Sequence, residues 1–162
     1  RGFAIPRSAI IEGMESARHA GRLELWEGCP AVLFDGAHNP SGTRALREYF
    51  DEFVHTPVTL VFGAMRDKNL DQMAENLFPV AHRLILTKPT NPRAAGMDEL
   101  QKLAARMIEP EKILAASSLP DAIRKAIEAT PPDGLVCFSG SLYLIGEVQS
   151  MMTERSAARV PN

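Results

Sequence analysis

The chain has 162 residues, about the size of one ordinary domain, and its 45% hydrophobic and 23% charged residues are typical of a globular protein with one core. Its formal net charge of −2 excludes a basic field for nucleic acid or anionic lipid, so any anionic ligand must be held by local groups. No apolar run is long enough to cross a bilayer, and the two cysteines lack metal-ligand spacing, so we expect no membrane contact and a reducing, cytoplasmic location.

Short apolar runs alternate with segments of helical period along the chain. A short helix over residues 8–17 lies in a segment, residues 1–20, that we interpret as a linker or the remnant of a preceding domain. Six strands are then predicted at residues 23–26, 31–34, 58–62, 83–86, 112–115 and 135–138. Five amphipathic helices are predicted at residues 40–53, 70–78, 97–108, 118–129 and 142–152.

This alternation predicts the fold class. Strands followed by helices indicate a mostly parallel sheet with helices on both faces, and the strands lack clean alternation, as expected when both faces are covered. The first two strands flank a short turn and predict a hairpin, which makes one edge strand antiparallel. We therefore predict a Rossmann-like, three-layer α/β domain over residues 21–153, followed by a frayed tail over residues 154–162.

Ligands of such sheets bind beyond the carboxyl ends of the strands. Three segments should meet there, at residues 35–40, 63–68 and 139–141, because each follows a predicted strand and precedes a predicted helix. Free backbone N–H groups and the positive ends of helices gather at such positions.

The first of these segments contains residues suited to a ligand. Asp35 can accept hydrogen bonds from two neighbouring hydroxyls, as on a ribose, Gly36 permits a sharp turn, and His38 can stack or hydrogen-bond. The alternative is ordinary helix capping, with Asn39 as the cap and Pro40 at the first helical position. The residues alone leave both interpretations open.

Five segments resemble the folylpolyglutamate synthases, within the wider Mur ligase superfamily. The string DGAHNP at residues 35–40 resembles their C-terminal-domain signature, and GRLE at 21–24, GAMRDKN at 63–69, NPRA at 91–94 and SGSLYLIG at 139–146 follow the family order. These matches cover nearly the whole chain. Gly36, Asn39 and the GSLYL segment favour the folate branch over the ligases that build peptidoglycan peptides.

The resemblance implies an ATP-dependent ligase that adds L-glutamate to the γ-carboxyl of folates. In that family a phosphate-binding loop on an N-terminal domain holds ATP and magnesium. The folate carboxylate becomes an acyl phosphate, and the amine of glutamate displaces phosphate; many bacterial members also make dihydrofolate from dihydropteroate. The chain contains no Gly-x-x-x-x-Gly-Lys-Ser/Thr pattern. The resemblance thus implies a C-terminal domain, inactive alone, whose partner is the N-terminal ATP-binding domain of the same polypeptide.

The resemblance also assigns the nucleotide contacts of this chain. Arg22, Asp35 and His38 match family residues that contact ATP, and a permanently charged, forked guanidinium at Arg22 suits a phosphate. No residue is assigned to catalysis or to a metal. For Arg22 the residues alone favour a solvated surface arginine.

Four further residues are candidates for glutamate or phosphate contacts. Asp67 and Lys68 could orient either group, or could simply cap a helix and form a surface ion pair. Ser139 and Ser141 could bind a carboxylate at a helix start, or only cap that helix. Arg93 is a weaker candidate.

Other functions remain open on the residues. The chain could be the domain of a peptidoglycan-type amino-acid ligase, a stand-alone nucleotide-binding module, or an α/β interaction domain whose motif residues are only caps. An upstream phosphate-loop domain in the same reading frame would favour the folate ligase.

Overall fold

The structure, a computed structural model, describes residues 4–16 and 19–157 of the chain. One six-stranded sheet runs in the order β1-β2-β6-β3-β4-β5. The strands are β1 Glu24–Trp26, β2 Ala31–Asp35, β3 Val58–Phe62, β4 Arg83–Leu86, β5 Ile113–Ala115 and β6 Leu135–Ser139. The helices are α1 Arg7–Ser16, α2 Pro40–Phe53, α3 Leu70–Leu77, α4 Met97–Ala104, α5 Leu119–Ala129 and α6 Leu142–Ala157.

The predicted fold class is confirmed. Strands β2 to β6 pair in parallel, while β1 pairs antiparallel with β2, so that Trp26 lies opposite Val32. On the hairpin, the ring of Trp26 packs edge-on against Phe34, with 4.8 Å between their centroids. The antiparallel edge strand is therefore held by side-chain packing as well as by its ladder.

Helices cover both faces of the sheet. Alternate strand residues point into two separate cores, as Leu60 and Val61 illustrate on the central strand β3. The first core lies under α2, α3 and α4, and the second under α5 and α6. All five residues of β3 and of β6 are buried, as expected for strands covered on both faces.

Several helix boundaries differ from prediction. Helix α4 ends at Ala104 rather than at residue 108, because Arg106 and Met107 form tight turns back to Leu103 and Ala104 ahead of Pro110. Helix α6 continues to Ala157, beyond the predicted end at residue 152. Residue 17 of the first predicted helix and residues 158–162 of the predicted tail lie outside the described residues, so the division into a linker, a domain and a tail stays a prediction.

The predicted cap of α2 is confirmed. The side-chain oxygen of Asn39 accepts a hydrogen bond from the amide of Gly42 at 2.8 Å, and Pro40 occupies the first turn. This cap fixes where α2 begins, directly after β2. The start of α2 therefore lies at the carboxyl edge of the sheet.

Candidate functional site

Three strands end side by side at one edge of the sheet. The parallel registers place Asp35 of β2 opposite Ser139 of β6, and Ser139 opposite Phe62 of β3. The loops that follow are joined by backbone hydrogen bonds, from the amide of Gly140 to the carbonyl of Ala37 at 3.1 Å and from Gly63 to Ser139 at 3.3 Å. The structure thus brings together the three segments that the sequence predicted would meet.

A strained turn presents Arg22 beside this edge. Gly21 and Leu23, on either side of Arg22, have φ angles of +67° and +44°. A left-handed conformation is unfavourable for leucine, by about 1 kcal/mol, and persists only where surrounding contacts enforce it. Two such contacts come from the end of β2: the amide of Gly36 donates to the carbonyl of Gly21 at 2.7 Å, and Asp35 accepts from the amide of Leu23 at 3.0 Å.

The carboxylate of Asp35 forms hydrogen bonds within the fold. The residue is 7% exposed, and its two carboxylate oxygens accept hydrogen bonds from the amides of Leu23 at 3.0 Å and Ala37 at 2.9 Å. The residues alone left open whether Asp35 would accept hydrogen bonds from two ligand hydroxyls, as on a ribose, or serve ordinary capping. Asp35 joins the turn around Arg22 to the end of β2, and a nucleotide contact by its remaining lone pairs stays a prediction.

Arg22 itself is exposed. Its guanidinium forms no hydrogen bond or ion pair with any residue that the structure describes. It borders a cleft of about 300 Å³ between the turn and helix α2. The cleft is lined by Arg22, Leu23, Asp35, Gly42, Ala45 and Leu46. A mostly apolar wall with one cation at its rim suits a ligand with a flat or apolar part and an anionic part.

His38 lies on the loop between β2 and α2. Its Nδ1 lies 2.8 Å from the carbonyl oxygen of Gly36. Because a carbonyl only accepts, Nδ1 must carry the proton of this bond. The other ring nitrogen, Nε2, has no protein partner within residues 4–16 and 19–157. In the neutral ring, Nε2 is therefore left as an acceptor for a ligand or water.

The two serines after β6 differ in their environments. The hydroxyl of Ser141 accepts a hydrogen bond from the amide of Tyr143 at 3.1 Å and so caps the start of α6. Ser139 is fully buried, and among the described residues its hydroxyl has no hydrogen-bond partner. A buried unsatisfied hydroxyl costs about 1–3 kcal/mol, so a water or a ligand group is expected to satisfy Ser139.

Sequence reasoning missed a second hydroxyl of this kind. Thr87 follows β4 directly, is fully buried, and lacks a hydrogen-bond partner for its side chain in the part of the chain that the structure describes. The sequence could have indicated Thr87, because it is the first polar residue after a predicted strand and such positions lie at the edge of the sheet where ligands bind. Gly63 lies close by: a Cβ built there would approach the backbone oxygen of Thr87 to 2.8 Å.

Asp67 and Lys68 occupy an ion-paired surface loop. The carboxylate of Asp67 accepts from Arg93 at 2.9 Å and lies 3.4 Å from the ammonium of Lys68. An isolated β-bridge between Met65 and Ala94 holds the two loops together. The ion-pair alternative thus describes the observed geometry, and contacts of Asp67 and Lys68 with glutamate or phosphate stay predictions.

Neither a metal-binding cluster nor a membrane-spanning helix is found among the described residues. Residues 4–16 and 19–157 contain no group of three or more histidine, cysteine, aspartate or glutamate side chains that could hold a metal ion. Within the same ranges, no helix has the length and apolar character needed to span a membrane.

Comparison with known proteins identifies the family. The sequence model described as "Mur ligase, glutamate ligase domain" matches residues 21–142. The chain belongs to the Mur ligase family. The match begins at Gly21 of the strained turn and ends at Leu142, so it contains the Arg22 turn, the Asp35–His38 loop and both serines.

Curated and solved relatives carry folate-related names. The chain is 33% identical, over 152 residues, to the "Probable bifunctional folylpolyglutamate synthase/dihydropteroate synthase" of Halobacterium salinarum, covering 92% of this chain and 18% of that protein. It is 31% identical, over 152 residues, to the dihydrofolate synthase/folylpolyglutamate synthase of Bacillus subtilis, covering 91% of this chain and 34% of that protein. The chain therefore spans about a third or less of these relatives.

A solved relative supports the fold. Folylpolyglutamate synthase of Mycobacterium tuberculosis, complexed with ADP, superimposes with a TM-score of 0.81 and 25% identity. The superposition covers 98% of this chain and 37% of that one. The resemblance seen in the sequence motifs is confirmed at the level of family and fold.

Proposed function

We propose that this chain is the C-terminal domain of an ATP-dependent ligase that adds L-glutamate to the γ-carboxyl of folates through an acyl phosphate. The names of the curated relatives at 31–33% identity support the folate branch. One observation carries the role of this domain: the guanidinium of Arg22 has no partner among the described residues and is held on a fixed turn at the rim of the cleft beside Asp35.

Different residues of the site would bind different parts of a nucleotide. Arg22 would bind phosphate oxygens through its fork of N–H donors. The cleft beside Asp35 would receive an uncharged part of the nucleotide, and His38 would add one hydrogen bond through Nε2. Ser139 and Ser141, or Asp67 and Lys68, remain proposals for the glutamate contacts.

The remaining parts of the reaction would come from elsewhere. We propose that the N-terminal ATP-binding domain of the same polypeptide supplies the phosphate-binding loop and most magnesium contacts. The relative from Bacillus subtilis supports such a partner, since it is about three times as long as this chain. Folate and L-glutamate would be the substrates, and the cytoplasm the proposed location. A water-excluding closure of the two domains would protect the acyl phosphate from hydrolysis.

An amide-formation assay on the full-length ligase tests this function. ATP, magnesium, L-glutamate and tetrahydrofolate are supplied, and phosphate release and the mass of the folate are followed; dihydropteroate replaces the folate in a second series. We expect glutamate addition that depends on folate. Turnover with a muramyl-peptide precursor, and none with folate or dihydropteroate, would move the chain to the peptidoglycan branch.

A matched pair of arginine variants tests the nucleotide site. Arg22→Ala removes charge-assisted hydrogen bonds worth about 1.5–3 kcal/mol together, so the KM for ATP should rise about tenfold to hundredfold. Arg44→Ala is the control, because Arg44 lies on the outer surface of α2 with 71% of its side chain exposed. An ATP KM equal to that of the parent in Arg22→Ala would remove Arg22 from the site.

A further inference from the structure

The carboxylate of Glu24 accepts three hydrogen bonds directly beside the turn that contains Arg22. One carboxylate oxygen, Oε2, accepts from the amide of Gly21 at 2.8 Å and from the side-chain amide of Gln149 at 2.9 Å. The other, Oε1, accepts from the indole N–H of Trp26 at 2.9 Å. The bond from the Gly21 amide, then those from Trp26 and Gln149, lower the pKa of Glu24 below its ordinary value. Glu24 therefore links the turn, the edge strand and helix α6.

The turn is held from both ends. Glu24 accepts from the amide of Gly21 ahead of Arg22, and Asp35 accepts from the amide of Leu23 after it. Both flanking residues have positive φ angles, which glycine adopts freely and leucine does not, so the two carboxylates hold the turn on either side of Arg22 and Asp35 stabilises its strained residue, Leu23. The side chain of Arg22, which lies between these two flanking residues in sequence, is exposed and forms no hydrogen bond or ion pair with the described residues. The backbone of Arg22 is thus fixed while its guanidinium stays available.

We propose that Glu24 is a positioning residue, which holds the turn at Gly21 and thereby sets the place from which Arg22 meets the nucleotide. The inference rests on the proposed nucleotide role of Arg22. Without the Glu24 carboxylate, the amide of Gly21 loses its partner and the turn relaxes. Arg22 must then be ordered when the ligand binds, which weakens binding without changing any group that touches the ligand.

Steady-state kinetics of the full-length ligase test this role. Glu24→Gln keeps the size of the side chain but places an N–H group among N–H donors. We expect it to raise the KM for ATP about fivefold to tenfold, the equivalent of losing one ordinary hydrogen bond, with kcat nearly unchanged. Glu27→Gln is the control, since Glu27 lies exposed in the same hairpin and should leave both constants unchanged.

A double-mutant cycle separates positioning from general stabilisation. In the Arg22→Ala background, Glu24→Gln should change the KM for ATP no further, because the group that it positions is gone. An equal rise in both backgrounds would overturn the inference. If Arg22→Ala itself has no effect, the proposed nucleotide role and this inference both fail. If Arg22→Ala raises the KM and Glu24→Gln does not, only the inference about Glu24 fails.

A second variant decides the matter if Glu24→Gln does not fold, as judged by thermal unfolding. Gln149→Leu removes the donor that holds Oε2 of Glu24 toward helix α6, so the carboxylate that accepts from the amide of Gly21 is less firmly placed. We expect a rise of about twofold in the KM for ATP, again absent in the Arg22→Ala background. An unchanged KM in Gln149→Leu, together with an unfolded Glu24→Gln, would overturn the inference.

Discussion

Replacing Asp35 with asparagine should destabilise the fold of this chain even without a ligand. The residue is 7% exposed, and each carboxylate oxygen accepts a hydrogen bond from one backbone N–H, that of Leu23 or that of Ala37. Asparagine has nearly the same shape but offers one acceptor and one donor. One of the two backbone amides would therefore face an N–H group inside the protein and would lose its partner.

The size of the effect follows from that geometry. A hydrogen bond to a charged group contributes about 1.5–3 kcal/mol, and a buried unsatisfied donor costs about 1–3 kcal/mol. Since asparagine keeps one of the two bonds, we expect Asp35→Asn to lower the free energy of unfolding by about 2 kcal/mol. For a chain of this length, about 2 kcal/mol corresponds to a fall of roughly 4–8 °C in Tm.

Urea unfolding of the chain, followed by far-ultraviolet circular dichroism, measures this loss. The midpoint should fall by about 1 M while the slope of the free energy against urea stays the same. Asp133→Asn is the matched control, because Asp133 is exposed and makes no hydrogen bond with the described residues. Equal midpoints for Asp35→Asn and the control would refute the structural role of Asp35 and return it to a purely ligand-binding one.

Two further predictions concern packing and pH. Gly63→Ala should lower the free energy of unfolding by about 1–3 kcal/mol, because its Cβ would lie 2.8 Å from the backbone oxygen of Thr87. Gly146→Ala in α6 is the control, since a Cβ there meets nothing within 4 Å and the substitution should be neutral or stabilising. Thermal unfolding of the two variants checks this prediction. The pKa of Asp121 is lowered, first by a hydrogen bond from the amide of Ser117. The parent should therefore be more stable than Asp121→Asn above about pH 4, the pKa of aspartate in the unfolded chain, and should lose this advantage as the pH falls further. Thermal unfolding across this pH range measures the difference in stability, and a difference that does not change with pH would contradict the prediction.

Much of the fold could be predicted because the strands are short apolar runs, of which the central strands β3 and β6 are buried on both faces. The strand ends were less accurate: β2 and β6 each extend one residue further, to Asp35 and Ser139. Polar residues at the ends of apolar runs suggested loops, yet both residues belong to the parallel ladder between β2 and β6. The pairing of β6 between β2 and β3 depends on contacts distant in sequence, which local patterns do not contain.

The position of the candidate site could be predicted from the sequence, but the contacts of its individual side chains could not. The rule that ligands gather at strand carboxyl ends correctly placed the loops after β2, β3 and β6 together. The use of individual side chains depended on tertiary contacts that no local pattern encodes. Asp35 bonds to an amide 12 residues earlier in the chain, and Glu24 to a side chain 125 residues later. The sequence therefore indicated where ligand chemistry could occur, and the structure showed which groups are already engaged.

The arrangement around Arg22 explains why its charge remains available. Two carboxylates, Glu24 and Asp35, accept hydrogen bonds from the amides of Gly21 and Leu23, which flank this arginine, and neither forms an ion pair with it. Each instead accepts backbone or side-chain N–H donors on both of its oxygens, so its charge is already stabilised by fixed dipoles. The guanidinium has no partner among the described residues and must find one in a ligand or in water. Because the nearby acids are already hydrogen-bonded, this site is suited to bind an anion at one fixed place, in a chain whose net charge is −2.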